Sequence, residues 1–496
     1  MPHRDALRSI DAQLESLAAQ ETRHLDEVRR IQQRRELLIA QRTMIERRRT
    51  IYSLPTEVLL HVFHFFVQWD EDDWQEGEEI DWRAVTLSHV CSTWRAAVLN
   101  TSSLWACLDF SRYPAVRPMI ARSKEQPIDV VHGIKPLPGY KHDIRFETVL
   151  KSTAPRWRSL LWESTELRMT DVLFVLNSGT PFPRLRGLEL GIEKRTLPGV
   201  PLSPQSVVLQ PGKSSLFPRL ERICLSSISL SELPPTDLPS LRFLTLHFPS
   251  KYPSTRANLF RMSSLHTFLS RTPQLESLVF SDSTPLMDVF VRTDPKHTVD
   301  GNDPTSALPS NQIVPLTLPC LRRFEWSHAP PRDLWRLFAM VNMPALKELE
   351  IYLDLGERRW YTFYASILEP MGDEPFSPRL LHPVVRLDQL EDLAVFATDV
   401  DGLCTAFRSM EFPKLRNLTL GYLTQRAAKL SKAAPGKPII ASSTLPSQEA
   451  IFREPRMARL THLILSQFRL DRFSLSTMLA YMRGLEHLTV ESCKGM

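Results

Sequence analysis

Nowhere in this chain of 496 residues do about 18 uncharged apolar residues run together, so the sequence predicts no membrane-spanning helix. The N-terminus, MPHRDALRSIDAQLESL, has no apolar stretch of signal-peptide length either. Cysteine is scarce and scattered. Cys91, Cys107, Cys224, Cys320, Cys404 and Cys493 stand singly, without the close pairs that zinc sites and redox motifs require. Isolated thiols of this kind behave as small apolar residues in a reducing compartment. Together these absences predict a soluble intracellular protein, cytoplasmic, nuclear or both.

Catalytic signatures are missing as well. The sequence holds no HExxH, no GxSxG and no GxGxxG after a strand. QPGKSS, beginning at Gln210, ends like a phosphate-binding loop, but the first glycine of that motif would fall on Val207, so the stretch reads as an ordinary loop. The 14 histidines do not cluster at metal-ligand spacing. His61 and His64 sit three apart on one helix without a carboxylate to complete a set. The expectation is therefore a protein that is not an enzyme, with no catalytic residue, no cofactor and no metal. A net charge of +5, from 61 basic and 56 acidic residues, is too even to predict nucleic acid as a partner.

What is present is the composition of a globular protein, 43% hydrophobic and 24% charged, in a chain too long for one compact core. Residues 1–50 contain no glycine, and no proline after Pro2, and are rich in Ala, Leu, Glu, Gln and Arg, which predicts one long helix. Steps of alternately three and four pick out Leu7, Ile10, Leu14, Leu17, Glu21, His24, Val28, Ile31, Arg35, Leu38, Arg42 and Ile45, a heptad seam with four polar interruptions. Two readings stand side by side: a coiled coil that makes a homodimer, or a long solvated helix that folds back on its own chain. The ERRRT stretch near Arg47 reads more simply as a charged helix face than as a nuclear signal.

LPTEVLLHVFHFF, from Leu54 to Phe66, predicts a second helix with Ser53 as its N-cap and Pro55 in its first turn. At 100° per residue, Leu54, Val58, Val62 and Phe65 form one apolar strip, while Leu59, Leu60, Phe63, Phe66 and Val67 fill most of the opposite side. A helix apolar on two sides must be covered twice, by its own chain and by something else. Eight acidic residues between Asp70 and Asp81 then mark a solvated loop. Leu87, Val90, Cys91, Trp94 and Val98 recur at helical spacing, and Ser102 to Trp105 read as a tight turn.

From residue 154 onward one phrase returns eleven times. It runs PRWRSLLW to Trp162, FPRLRGLEL to Leu190, FPRLERICL to Leu225, LPSLRFLTL to Leu246, TPQLESLVF to Phe280 and LPCLRRFEW to Trp326. It continues MPALKELEI to Ile351, LDQLEDLAV to Val395, FPKLRNLTL to Leu420, MARLTHLIL to Leu465 and MRGLEHLTV to Val490. The closing apolar, polar, apolar triplet predicts a short strand with one buried face, and the leucine three residues earlier turns the chain into it. Amphipathic segments such as DLWRLFAMV, DGLCTAFRSM and SLSTMLAYM predict helices packed behind the strands.

A unit of helix, turn and strand cannot bury its own apolar face and must stack on a neighbour. The predicted fold class is α/β: a long N-terminal helix (1–50), a small all-helical region (51–110), a linker and start of repeats (111–153), and an irregular leucine-rich-repeat solenoid (154–496), a curved parallel sheet with outer helices. The copies lie about 21 to 46 residues apart, and the longest intervals hold Pro- and Ser-rich stretches read as loops, around Asp294 to Val314 and after Lys432. No polar terminal unit follows the last strand, so an unconventional cap or a truncated gene product is expected. Arg322, Arg323 and Trp326 are the kind of residues that make a concave binding surface, although tryptophans in such strands more often fill the core.

The stretch from Ile51 to Trp105 resembles the F-box. That family opens with Leu-Pro and an acidic residue two positions on, here Leu54, Pro55 and Glu57, and continues through an apolar helix, here Val58, Leu59, Val62 and Phe63. A valine-cysteine pair then precedes a tryptophan-arginine pair, here Val90, Cys91, Trp94 and Arg95, and a late leucine-tryptophan pair is matched by Leu104 and Trp105. The acidic loop is longer than the family norm. A helical N-terminus followed by irregular leucine-rich repeats looks like the F-box proteins of mushroom-type fungi. The resemblance implies that these residues bind a Skp-type adaptor, and through it a cullin scaffold, in an SCF ubiquitin ligase. The repeats would then select a protein substrate for ubiquitination. A non-degradative F-box scaffold is the alternative.

Overall fold

The computed structural model describes residues 2–48, 54–67, 83–133, 145–192, 215–247, 261–281, 314–329, 331–353, 385–398, 410–423 and 457–495, with a few isolated positions between them. Ser53, the acidic run 70–81, the QPGKSS stretch up to Ser214, the insert 294–313 and the stretch 432–443 lie outside the described residues, as does most of DGLCTAFRSM. The chain is mixed α/β and divides into two compact units, Met1–Trp105 and Ala106–Met496.

In the first unit, α1 (Pro2–Arg48) is an unbroken helix of 47 residues, about 70 Å long at 1.5 Å per residue. Every described side chain along it is exposed, including the seam residues Leu7, Ile10, Leu14 and Leu17. Within the first unit, no described residue covers one side of this helix. Among the described residues three short helices follow: α2 (Thr56–Val67), α3 (Arg83–Val90) and α4 (Ser92–Asn100). A 3-10 turn, Ser102–Trp105, ends the unit.

In α2 the Pro55 carbonyl accepts the Leu59 N–H at 3.0 Å, and Glu57 sits in the first turn, where a negative charge suits the helix dipole. Cys91 breaks α3 from α4. Its backbone is extended and its Sγ accepts the Trp94 N–H at 3.4 Å, which caps α4. The small core of the unit consists of Leu59, Phe63, Ala84, Leu87, Val98, Leu104 and Trp105. Trp105, although buried, donates its indole N–H to the Val98 carbonyl at 2.9 Å.

The second unit is built on a sheet of thirteen parallel strands that follow one another in chain order, and two two-stranded parallel sheets, Leu316–Thr317 with Val341–Asn342 and Val385–Arg386 with Met410–Glu411, lie in its intervals. The strands of the large sheet are β1 (Cys107–Asp109), β2 (Ile128–His132), β3 (Trp157–Ser164), β4 (Gly187–Ile192), β5 (Arg222–Ser226), β6 (Phe243–His247) and β7 (Ser277–Ser281). After them come β8 (Arg323–Ala329), β9 (Glu348–Leu353), β10 (Asp392–Ala397), β11 (Asn417–Tyr422), β12 (His462–Ser466) and β13 (His487–Glu491). All eleven copies of the repeated phrase end inside β3 to β13. The sheet starts earlier than the phrase does. β1 and β2 lie ahead of residue 154, and IDVVH in β2 supplies the alternation with Ile and Val in place of the leucine phrase.

Register turns the phrase into ladders. Leu160, Leu188, Ile223, Leu244, Leu278, Phe324, Leu349, Leu393, Leu418 and Leu463 are successive cross-strand partners, all buried. A second ladder two residues on runs from His132 through Trp162, Leu190, Leu225, Leu246, Phe280 and Trp326 to Ile351, Val395, Leu420 and Leu465. The leucine ahead of each strand closes a turn. Leu185, Leu220, Leu241, Leu275, Leu321, Leu346, Leu390, Leu415, Leu460 and Leu485 each donate the backbone N–H to the carbonyl three residues back. Pro183, Pro218, Pro239, Pro273, Pro319, Pro344 and Pro413 stand second in these turns, where a fixed φ near −65° costs no hydrogen bond. The recurring x-Pro-x-Leu is therefore turn chemistry, and the triplet after it is sheet core.

Helices fill several of the intervals, among them α5 (Tyr113–Ser123), α6 (Arg145–Thr153), α7 (Glu166–Asn177), α8 (Met262–Leu269), α9 (Pro331–Met340) and α10 (Arg472–Ala480). All of DLWRLFAMV but Val341 falls on α9 and most of SLSTMLAYM on α10, while β5 and β6 are joined through a single 3-10 turn, Leu230–Glu232.

Candidate functional site

The two apolar sides of α2 have different fates. Leu59 and Phe63 are buried, with Leu60 and Val67 partly so, and the Phe63 ring meets the Trp94 ring edge-on at 4.6 Å. Leu54, Val58, Val62 and Phe65 stay exposed along the other side, and Phe65 is 83% exposed. Phe66, expected on the packed side, is exposed as well, because 120° around the wheel from Leu54 it falls at the margin of the buried arc. The polar wedge stays in solvent, with the His64 Nε2 and Ser103 Oγ 3.1 Å apart.

The residues picked out by the resemblance therefore separate into two groups. Leu59, Phe63, Leu104 and Trp105 are interior and hold the helices together, so none of them offers contact surface in this conformation. Leu54, Pro55, Glu57, Val58 and Val62 are exposed, and so is Val90 at the end of α3. Cys91 and Trp94 are half-buried, the first as a helix cap and the second as the ring under Phe63. The Trp94 indole nitrogen is closed off from solvent and has no hydrogen-bond partner among the described residues. Phe65 and Phe66 extend the exposed apolar surface beyond the family motif, and the helical wheel is the signal that finds Phe65.

In the second unit, the strand positions that alternate with the ladder residues point to the other face of the sheet. Tyr352 and Phe396 stack there with ring centroids 4.8 Å apart, and a Cβ on Gly421 would overlap the Phe396 ring. Arg242 forms a bidentate pair with Glu276, both bonds at 2.9 Å, and its guanidinium also lies 5.8 Å from the Phe243 ring centroid. Arg158 is held by Asp129, which also accepts the Ser159 hydroxyl at 2.6 Å. Its own hydrogen bonds to Asp129 raise the Arg158 pKa above its ordinary value. Of the sequence candidates for this face, Arg323 is present and pairs with Glu325 at 3.3 Å, whereas Trp326 is fully buried in the second ladder.

Sequence reasoning missed His132. It occupies a ladder position that is apolar in the strands after it and is 1% exposed. Ser111 Oγ lies 3.1 Å from its Nδ1 and accepts the Gly133 N–H at 2.8 Å, while the imidazole meets the Trp162 ring edge-on at 4.3 Å. Burial first, and Arg168 second, push its pKa from 6.5 down to about 3, so the ring is neutral. A serine beside a neutral histidine has the composition of a nucleophile and base, but both side chains are interior and the hydroxyl is already committed. The pair is enclosed in the core, and the His132 Nε2 has no hydrogen-bond partner among the described residues. Among the described residues, no group of three or more His, Cys, Asp or Glu is placed to hold a metal ion, and no helix is long and apolar enough to cross a membrane.

No curated protein matches the chain. Residues 51–111, in contrast, match the F-box-like family. The segment that presents the exposed strip of α2 is an F-box-like domain, a type that generally binds Skp-type adaptors and supports a role as an F-box adaptor protein in ubiquitin ligase complexes.

Proposed function

We propose that this chain is the substrate-recognition subunit of an SCF-type cullin-RING ubiquitin ligase. The F-box-like domain docks on a Skp-type adaptor, which links it to the cullin. The long parallel sheet is an irregular leucine-rich-repeat solenoid whose outward strand positions hold a protein target. The protein works in the cytoplasm, the nucleus or both, and α1 joins two copies through residues 1–50. Such a receptor needs no catalytic residue, cofactor or metal, because it acts by raising the effective concentration of the target near a ubiquitin-conjugating enzyme.

The observation that carries this reading is the exposed strip of Val58, Val62 and Phe65 on a helix whose other side is already packed. A partner that covers Phe65 alone gains about 1.5–3 kcal/mol. A cluster of this kind at the centre of an interface dominates its affinity. Adaptor co-purification tests the reading: the wild-type chain retains the adaptor, and Val58→Glu/Val62→Glu loses it while its circular dichroism and melting temperature stay unchanged. A wild-type chain that retains no adaptor overturns it. The alternative, a scaffold that binds the adaptor without promoting degradation, predicts adaptor retention but no protein that accumulates when the gene is deleted.

A further inference from the structure

We propose that α1 pairs with the α1 of a second copy of this chain, and that the two helices run antiparallel, with Leu7 opposite Ile45 and His24 opposite Val28 of the other copy. The orientation rests on the reading of α1 as the self-association element. Its exposed heptad seam shows where the contact lies, and the polar positions in the seam show its direction.

A parallel, in-register pair sets every seam residue against itself. Glu21 would face Glu21, Arg35 would face Arg35 and Arg42 would face Arg42, three like-charge layers inside the seam. The antiparallel register that uses all twelve seam positions removes all three clashes. It sets Glu21 against Ile31, Arg35 against Leu17 and Arg42 against Ile10 of the other copy, and the aliphatic stems of the two arginines can cover those apolar neighbours. Glu21 of one helix then lies one turn from Arg35 of the other.

Charge along the whole helix points the same way. Residues 2–25 carry three arginines against four acidic residues, and residues 26–48 carry seven arginines against four. Parallel pairing stacks the two basic halves on each other, whereas antiparallel pairing lays each basic half along a slightly acidic one. The C-terminal ends of the two helices then leave the rod about 65 Å apart, at 1.5 Å per residue. Two adaptor-binding domains would follow from opposite ends of a single rod.

Two measurements on the full chain test this. Light scattering on the wild type should give twice the chain mass of 57.0 kDa, and Leu14→Glu/Leu38→Glu, which sets glutamate on glutamate in two layers, should give the single mass. A monomeric wild type, a higher oligomer, or a dimer that survives the double substitution overturns the self-association reading itself. A spin label carried by a genetically encoded residue at Ser9, which leaves the six native cysteines in place, should report a distance of about 50 Å within the dimer. A distance under about 20 Å means a parallel pair and refutes the antiparallel register while leaving the dimer standing.

Discussion

Acid should unfold the parallel sheet partly through one residue, His132. In the folded chain its pKa is about 3, while in the unfolded chain an imidazole titrates near the ordinary 6.5. Below pH 6.5 the unfolded state binds a proton that the folded state refuses, so stability is complete above that pH and falls as pH drops toward 3. The lost stability is roughly 2 kcal/mol at pH 5 and about 4 kcal/mol at pH 3, and it levels off near about 5 kcal/mol below that. Other groups titrate over the same range, so the test needs a difference. His132→Phe keeps a ring beside Trp162 and leaves the Ser111 hydroxyl bonded to the Gly133 N–H. Urea unfolding of wild type and variant at pH 7 and pH 5 should show the wild type losing about 2 kcal/mol more than the variant between the two. Equal losses in the two proteins would refute the claim that the buried imidazole is held neutral.

Three further outcomes follow from the packing. Phe63→Ala should cost about 3–5 kcal/mol and Phe65→Ala less than about 1 kcal/mol in urea unfolding, since the first side chain is interior and the second is almost free. In the first ladder, Leu463→Ala should cost about 2–5 kcal/mol, while Leu488→Ala, whose side chain is 40% exposed at the last strand, should cost less than half as much in the same assay. Gly421→Ala should destabilise by about 1–3 kcal/mol through overlap with Phe396, and a double-mutant cycle with Phe396→Ala should recover most of that loss.

The repeated phrase was legible because each of its positions answers one physical demand. Proline sets the turn, leucine closes it and the following apolar pair enters two ladders, so the strands β3 to β13 could be marked residue by residue. β1 and β2 were not legible as strands, since the first is three residues long and the second enters the two ladders through Val130 and His132 without the leucine phrase. His132 was hidden for a related reason: composition marks a histidine as polar, and only its register with Trp162 reveals a core position. In α2 the wheel separated the packed side from the exposed strip, but the resemblance mixed the two, placing interior Leu59 and Phe63 beside exposed Val58 and Val62. A motif preserves the residues a domain needs, whether for folding or for contact, and burial is what tells them apart.

The strict chain order of the sheet has a consequence for synthesis. Within the thirteen-stranded sheet each strand pairs only with the members before and after it in chain order, so each newly made segment of that sheet finds its docking edge already formed. No strand of that sheet has to wait for a distant one, which spares it the slow search that long-range pairing imposes. Growth can therefore proceed as a zipper from the ribosome outward, with one apolar edge exposed at a time.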